Sequence, residues 1–283
     1  MIDIESKNKI FPPSTSVSSP SPIIEATQVR KSFGDFEAVR GISFTVHAGE
    51  IFAFLGPNGA GKTTTIKMLT TLLSPTSGTL SLAGHDPVRD RAAARRTFGI
   101  VFQDPSLDDD LTAWENLELH GVLYGVPRTL RRQRIDDLLH YVELHDRRTD
   151  LVKHFSGGMK RRLEIARALI HHPTILFLDE PTVGLDPQTR NHLWDYIRRL
   201  STEEGMTVFF TTHYMEEASR TAHRVAIMDH GTIATTGTPA ALMEQTKTTT
   251  LEDAFLALTG HSIRDESASA AEGMRLAHRM WRR

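Results

Sequence analysis

Residues 50–63 read Glu50-Ile-Phe-Ala-Phe-Leu55-Gly56-Pro57-Asn58-Gly59-Ala60-Gly61-Lys62-Thr63. Glu50–Leu55 reads as a buried strand, and the residues from Lys62 to Leu73 read as a helix. The eight residues Gly56–Thr63 fit the pattern G-x-x-x-x-G-K-[ST] between them. Gly56, Gly59 and Gly61 let the backbone curl, so that several N–H groups point inward at anionic oxygens. The helix N-terminus adds partial positive charge. Lys62 supplies a full cation to the outer phosphates, and Thr63 offers a hydroxyl to Mg²⁺. The plainer reading is a glycine-rich turn with an incidental lysine. Its place after a strand and before a helix argues against that reading.

A second element lies more than a hundred residues on, at Ile175-Leu-Phe-Leu178-Asp179-Glu180. A buried apolar strand ending in two carboxylates is costly unless they meet a cation or a water. Asp179 reads as an anchor for the Mg²⁺ complex, and Glu180 as the base that orients and polarises an attacking water. Taken alone, the pair also fits two exposed acids at a strand end.

A third element, Phe155-Ser156-Gly157-Gly158-Met159, precedes a helical stripe of Leu163, Ala166, Leu169 and Ile170. Serine with two glycines at a helix N-terminus is either a second anion-binding end or a glycine-softened N-cap. The first cradle already serves one nucleotide, so this end would serve a nucleotide held by another copy. Lys160, Arg161, Arg162 and Arg167 read as a solvated helix face with Lys160–Glu164 paired at i,i+4, rather than as a nucleic-acid patch.

Around these elements, short β-rich runs alternate with helical patterns, which predicts an α/β fold with a largely parallel sheet. Ser74–Gly78 reads as a turn and Thr79–Ala83 as a strand, with further strands at Thr174–Leu178, Thr207–Thr211 and Val225–Met228. From about Asp104 to Leu169 the pattern is mostly helical. Thr112 and Glu115 form a capping-box signal, and Ile135, Leu138, Leu139 and Val142 share a face. Asp186-Pro187 reads as an N-cap followed by a first-turn proline. Residues 1–22 carry six Ser and four Pro and read as a disordered tail, with order beginning near Ile23.

The chain has 283 residues, no cysteine, and 33 basic against 35 acidic side chains, a formal charge of −2. Disulfides, thiolate metal sites and cysteine nucleophiles are therefore excluded. A near-neutral chain is a poor candidate for tracking nucleic acid, so no nucleic-acid partner is expected. Apolar runs reach about five residues where a spanning helix needs ~18. The N-terminus has no signal-peptide pattern. The thirteen histidines other than His213 show no metal-ligand spacing.

Over about residues 24–260 the chain resembles the ATP-binding cassette (ABC) ATPases. Gly56–Thr63 resembles the Walker A loop, Gln103 in Val101-Phe-Gln-Asp the Q-loop glutamine, and Ser156-Gly-Gly158 the signature. Asp179-Glu180 resembles Walker B with its catalytic glutamate, Gly184-Leu-Asp186 the D-loop, and His213 the switch histidine. The resemblance implies a P-loop NTPase (RecA-like) core with an antiparallel β subdomain and an inserted α-helical subdomain at about 104–167. It implies a domain over 23–245, followed at 246–283 by a helical appendage and a basic tail.

It also implies an ATPase using ATP and Mg²⁺. Lys62, Gln103, Glu180 and His213 would serve catalysis, and Thr63, Gln103 and Asp179 the metal. Nucleotide contacts would come from Phe33, Gly56, Pro57, Asn58, Gly59, Ala60, Gly61, Lys62, Thr63, Thr64, Ser156, Gly157, Gly158 and Asp186. Phe33 stands where a tyrosine is usual, so adenine stacking survives without a hydroxyl. Met159 replaces the more usual glutamine of the signature.

Two copies are expected to pair head to tail with ATP sandwiched between them. They would sit peripherally on the cytoplasmic face of the cell membrane beside a separate polytopic permease, with no transported-substrate site in this chain. Leu69–Gly78, Val101–Asp108, Phe155–Arg167, Thr211–Glu217 and Leu251–Gly260 resemble the daunorubicin/doxorubicin-resistance branch of type 2 export systems. The implied function is efflux of a drug-like or other hydrophobic compound. Polysaccharide or lipid export, or a soluble non-transport ATPase, are the alternatives. Leu251–Gly260 reads as an amphipathic helix that either packs on the core or meets a partner. The four arginines of 274–283 fit either a frayed tail or contact with anionic lipid.

Overall fold

The computed structural model describes residues 22–260 of the chain. In chain order its strands are β1 (Pro22–Phe33), β2 (Phe36–His47), β3 (Ile51–Leu55), β4 (Ser77–Leu82), β5 (Phe98–Val101), β6 (Ile175–Asp179), β7 (Thr207–Thr212), β8 (Arg224–Asp229) and β9 (Thr232–Gly237). The helices are α1 (Lys62–Leu69), α2 (Arg91–Thr97), α3 (Ala113–Leu123), α4 (Arg128–Tyr141), α5 (Gly157–Leu169), α6 (Pro187–Glu204), α7 (Met215–Thr221), α8 (Pro239–Thr246) and α9 (Leu251–Thr259).

Among the described residues the strands form two sheets. A three-stranded antiparallel sheet has the order β2-β1-β4, and a six-stranded sheet the order β5-β6-β7-β3-β8-β9. The larger sheet is parallel except for β9, which returns antiparallel to β8. Helices α3, α4 and α5 fill the segment between β5 and β6, as the mostly helical pattern predicts.

Strand periodicity divides the core in two. Ile51, Ala53 and Leu55 of β3 face one cluster with the helices, while Phe52 and Phe54 face the cluster between the sheets. There Phe44, Phe52, Phe54 and Phe209 lie with ring centroids 5.3–6.5 Å apart, a packing that favours offset and tilted rings. Each fully buried phenyl ring contributes roughly 2–3 kcal/mol.

Register aligns the carboxyl ends of the central strands. Leu55 lies opposite Thr212, and Asp179 opposite Thr211. β3 has β7 and β8 as neighbours, neither adjacent to it in sequence. Such crossover points in parallel sheets open a crevice beyond the strand ends where ligands bind.

Two local expectations change. The helix expected to reach Leu73 ends at Leu69, where the Thr70 hydroxyl donates to the Ile66 carbonyl at 2.8 Å and Thr71 takes φ +66°. β4 begins at Ser77 rather than Thr79. A Cβ on Gly78 would stand 2.3 Å from the Gln28 carbonyl oxygen, so the residue expected in a turn permits a close strand approach instead. The first described residue, Pro22, already pairs in β1, opposite His47.

Leu251, Ala254 and Phe255 of α9 join the main apolar cluster, so this helix packs on the core, and Gly260 ends it at φ +76°. The expected N-terminal tail, apart from Pro22, and the basic 274–283 segment lie outside the described residues.

Candidate active site

The loop after β3 is held tightly from behind. A Cβ on Gly56 would fall 2.2 Å from the Met228 carbonyl oxygen, and the Gly231 N–H donates to the Ala60 carbonyl at 3.0 Å. Gly61 caps α1 without a side chain, so the first-turn N–H groups of Lys62, Thr63 and Thr64 face the loop's concavity. Lys62 folds back along the loop. Its ammonium donates to the carbonyls of Gly56 at 2.7 Å and Pro57 at 2.9 Å.

The two carboxylates at the end of β6 occupy different environments. Asp179 is 3 % exposed and accepts from the Thr211 hydroxyl at 2.6 Å and the Thr63 hydroxyl at 3.4 Å. Burial pushes its carboxyl above the usual aspartate range, with the two hydroxyls pulling against that rise. Glu180 sits at φ +47°, a strained conformation for a non-glycine residue. Its N–H is tied to Thr211, to the hydroxyl at 3.0 Å and the carbonyl at 3.2 Å, which holds it there.

One Glu180 oxygen, Oε1, is 3.7 Å from the Lys62 ammonium, and the other, Oε2, is 3.1 Å from His213 Nδ1. Burial raises this carboxyl too, but the His213 hydrogen bond and the Lys62 charge outweigh it and leave it below the usual glutamate range. Lys62, Thr63, Asp179, Glu180 and His213 thus form one connected cluster.

Ser156, Gly157 and Gly158 form a second cluster with the start of α6. The Ser156 hydroxyl accepts from the Met159 N–H at 3.3 Å, and Asp186 caps α6 through the Thr189 N–H at 3.0 Å. A Cβ on Gly158 would meet Thr189 Cγ2 at 2.4 Å, and one on Gly157 would lie 3.9 Å from Leu185. The Thr189 hydroxyl and N–H hold the Asp186 carboxyl below its usual range.

Gln103 follows β5 and is exposed, beside β6 where Val101 lies opposite Leu178. Phe33 ends β1 opposite Phe36, 44 % exposed, with the Lys31 ammonium 5.1 Å from its ring. The neighbouring β2 reaches the loop from the same hairpin, since a Cβ on Gly61 would approach the Ala38 carbonyl to 2.7 Å.

The basic run on α5 is not a solvated face. Glu164 is fully buried and pairs with Arg161 at 3.1 Å, while Lys160 pairs with Asp109. The i,i+4 reading fails because Arg161 turns inward to the carbonyls of Phe102 and Gln103, and Glu164 accepts from the Ser106 N–H at 2.8 Å. This buried pair fixes the segment that carries Gln103.

Another expectation is also corrected. His140 and His145 meet Asp136, with their ligating atoms within 4.8 Å of one another. The two imidazoles stack with ring centroids 3.7 Å apart and 24° between their planes.

The chain matches the family model described as ABC transporter over residues 39–183. It is 43 % identical to the linearmycin resistance ATP-binding protein LnrL of Bacillus subtilis (strain 168), covering 78 % of this chain and 70 % of that protein. It is 46 % identical to the Nod factor export ATP-binding protein I of Burkholderia lata, covering 78 % and 72 %. It is 44 % identical to the daunorubicin/doxorubicin resistance ATP-binding protein DrrA of Streptomyces peucetius, covering 79 % and 67 %. Among solved structures, an ATP-binding subunit of an ABC transporter superposes with TM-score 0.76 at 28 % identity, covering 83 % of this chain and 99 % of that one. A dimeric ATP-binding cassette in a post-hydrolysis state, bound to ADP and Pi, superposes with TM-score 0.68 at 28 % identity, covering 76 % and 98 %.

Proposed function

We propose, from the premise that this chain belongs to the ABC transporter family, that it is the ATP-hydrolysing subunit of an export system acting through a separate membrane-spanning partner. The observation that carries this reading is the meeting of Lys62 and His213 on the two oxygens of Glu180, at the mouth of the glycine-rich loop.

The chain's own residues divide the work. Residues 56–64 wrap the phosphates with backbone N–H groups, and the Lys62 ammonium turns from the loop carbonyls to the outer phosphates. Glu180 is ionised at neutral pH and accepts a proton from the attacking water. His213 holds one Glu180 oxygen in place and contacts the outer phosphate. Gln103 reports on the phosphate from the end of β5, and Phe33 stacks on the adenine.

The donor set fits Mg²⁺. Asp179 is a buried carboxylate whose pKa is raised by burial, and the Thr63 hydroxyl lies beside it, an oxygen pair of the kind Mg²⁺ takes. Thr63 and Asp179 would hold the ion, with Gln103 supplying a further oxygen. Bound there, Mg²⁺ would neutralise charge on the outer phosphates.

In the assembled form, Ser156–Gly158 and Asp186 of one copy close over the nucleotide held by the other. Among the described residues no helix is long and apolar enough to cross a membrane. By the family's assembly, we propose that the dimer sits peripherally on the cytoplasmic face, with the transport path in the partner.

Relatives named for linearmycin and for daunorubicin/doxorubicin resistance support a drug-like cargo. A relative named for Nod factor export, at 46 % identity, supports a second reading with a different cargo, and a polysaccharide or lipid is the alternative tested. Reconstitution with a candidate membrane-spanning partner tests the proposal. A hydrophobic drug-like compound should stimulate ATP hydrolysis, and stimulation by a saccharide or lipid alone would favour the second reading.

A further inference from the structure

Glu217 is an acid that the hydrolytic machinery does not use, yet it is only 7 % exposed and sits on α7, immediately behind His213. The Thr182 hydroxyl, two residues beyond Glu180, reaches both of its oxygens at 2.8 and 2.9 Å. The Thr212 hydroxyl donates to Glu217 Oε2 at 3.3 Å and accepts from the Tyr214 N–H at 2.9 Å. His213 is the residue bracketed by that relay.

Arg190 of α6 completes the arrangement. Its Nε lies 3.4 Å from Glu217 Oε1, its guanidinium carbon 4.6 Å from the centre of the Tyr214 ring, and its Nη2 3.4 Å from the Leu185 carbonyl beside Asp186. Three segments therefore converge on one carboxylate. They are the turn after Glu180, the turn carrying His213, and, through Arg190, the loop carrying Asp186. None of these contacts approaches the phosphate loop.

We propose that Glu217, braced by Arg190, is a positioning residue that sets His213 against Glu180 and ties both to the Asp186 loop. This rests on the reading of Glu180 and His213 as the hydrolytic pair. The carboxylate orients the Thr212 hydroxyl, which in turn fixes the Tyr214 N–H and the tight turn between them. It also holds Thr182, so the Glu180 and His213 segments keep a common reference. A change in the Asp186 loop, where a second copy is expected, reaches the water-activating pair through Arg190.

The test uses full-length chain and separates nucleotide affinity from turnover. Glu217→Ala should lower kcat about tenfold or more, because the misplacement of a reacting group is steeply penalised. KM for ATP and the stoichiometry of fluorescent nucleotide binding should stay within about twofold of the unaltered chain, since the phosphate loop is untouched. Glu217→Gln keeps an acceptor for Thr182 and Thr212 and should recover kcat to within about threefold.

In a His213→Ala background, Glu217→Ala should add no further loss above the floor set by Lys62→Ala, as expected for residues acting through one another. A Glu217→Ala kcat within twofold of the unaltered chain, or a full independent loss in the His213→Ala background, overturns the proposal and leaves the hydrolytic pair standing. Unchanged turnover in His213→Ala alone overturns both. If Glu217→Ala does not fold, Thr212→Val, which removes the relay hydroxyl at constant shape, decides the matter. Several-fold lower kcat at unchanged nucleotide binding supports the proposal, and unchanged kcat overturns it.

Discussion

His213 Nδ1 lies 3.1 Å from Glu180 Oε2, and this contact leaves Glu180's other oxygen facing the Lys62 ammonium. The imidazole thus fixes both the orientation and the charge state of the acid that must accept a proton from water. Because the folded-state pKa of Glu180 is depressed, its contribution to stability is present above about pH 4.3 and is lost as pH falls through the folded value. The ATPase acid limb follows the same group. His213→Ala removes a stabiliser of the ionised form, so the limb of the kcat–pH profile should move to higher pH. A limb that stays in place would contradict the coupling.

Lys62 is the cation of the phosphate loop, and the Gly56 and Pro57 carbonyls accept from its ammonium. In the unaltered chain, saturating ATP should raise Tm by about 5 °C, from preferential binding to the folded state. Lys62→Ala should abolish that shift in differential scanning fluorimetry.

Asp179 carries the opposite sign. Burial raises its folded pKa, so the folded chain binds more protons than the unfolded chain between the two values, and stability falls as pH rises through that window. Asp179→Asn keeps an acceptor for Thr211 while removing the charge. It should raise the Tm of the nucleotide-free chain by on the order of 2 °C and lose the Mg²⁺-dependent part of ATP stabilisation.

Ser156 caps α5 within its own chain, so its loss has two separable effects. Ser156→Ala should cost about 1 kcal/mol of stability in urea unfolding, the usual worth of an N-cap hydroxyl. It should also weaken ATP-dependent dimerisation in analytical ultracentrifugation. Mixing it with Lys62→Ala should restore ATPase, because one composite site in each mixed dimer is then intact. Failure to complement would count against a shared site.

Much of this was legible in local sequence because local geometry dictates it. The β3–loop–α1 unit follows from glycine spacing and one lysine, and the α6 start from Asp186-Pro187. What escaped depends on contacts between distant segments. Arg161, Arg162 and Arg167 look like a charged helix face until the 102–106 segment covers Arg161 and Glu164. Glu217 looks like one of two surface acids after a histidine until Thr182 and Arg190 close on it. His140 and His145 stack only because a turn after α4 brings the second ring back.

The most direct test of the central claim is Glu180→Gln, assayed for ATP turnover and for mass in the presence of Mg²⁺ and ATP. The substitution keeps the shape and removes the base, so turnover should fall by about 10²–10³-fold. The chain should bind ATP with unchanged affinity and accumulate as a dimer holding unhydrolysed nucleotide. A Glu180→Gln chain that hydrolyses ATP at the unaltered rate and stays monomeric would contradict it.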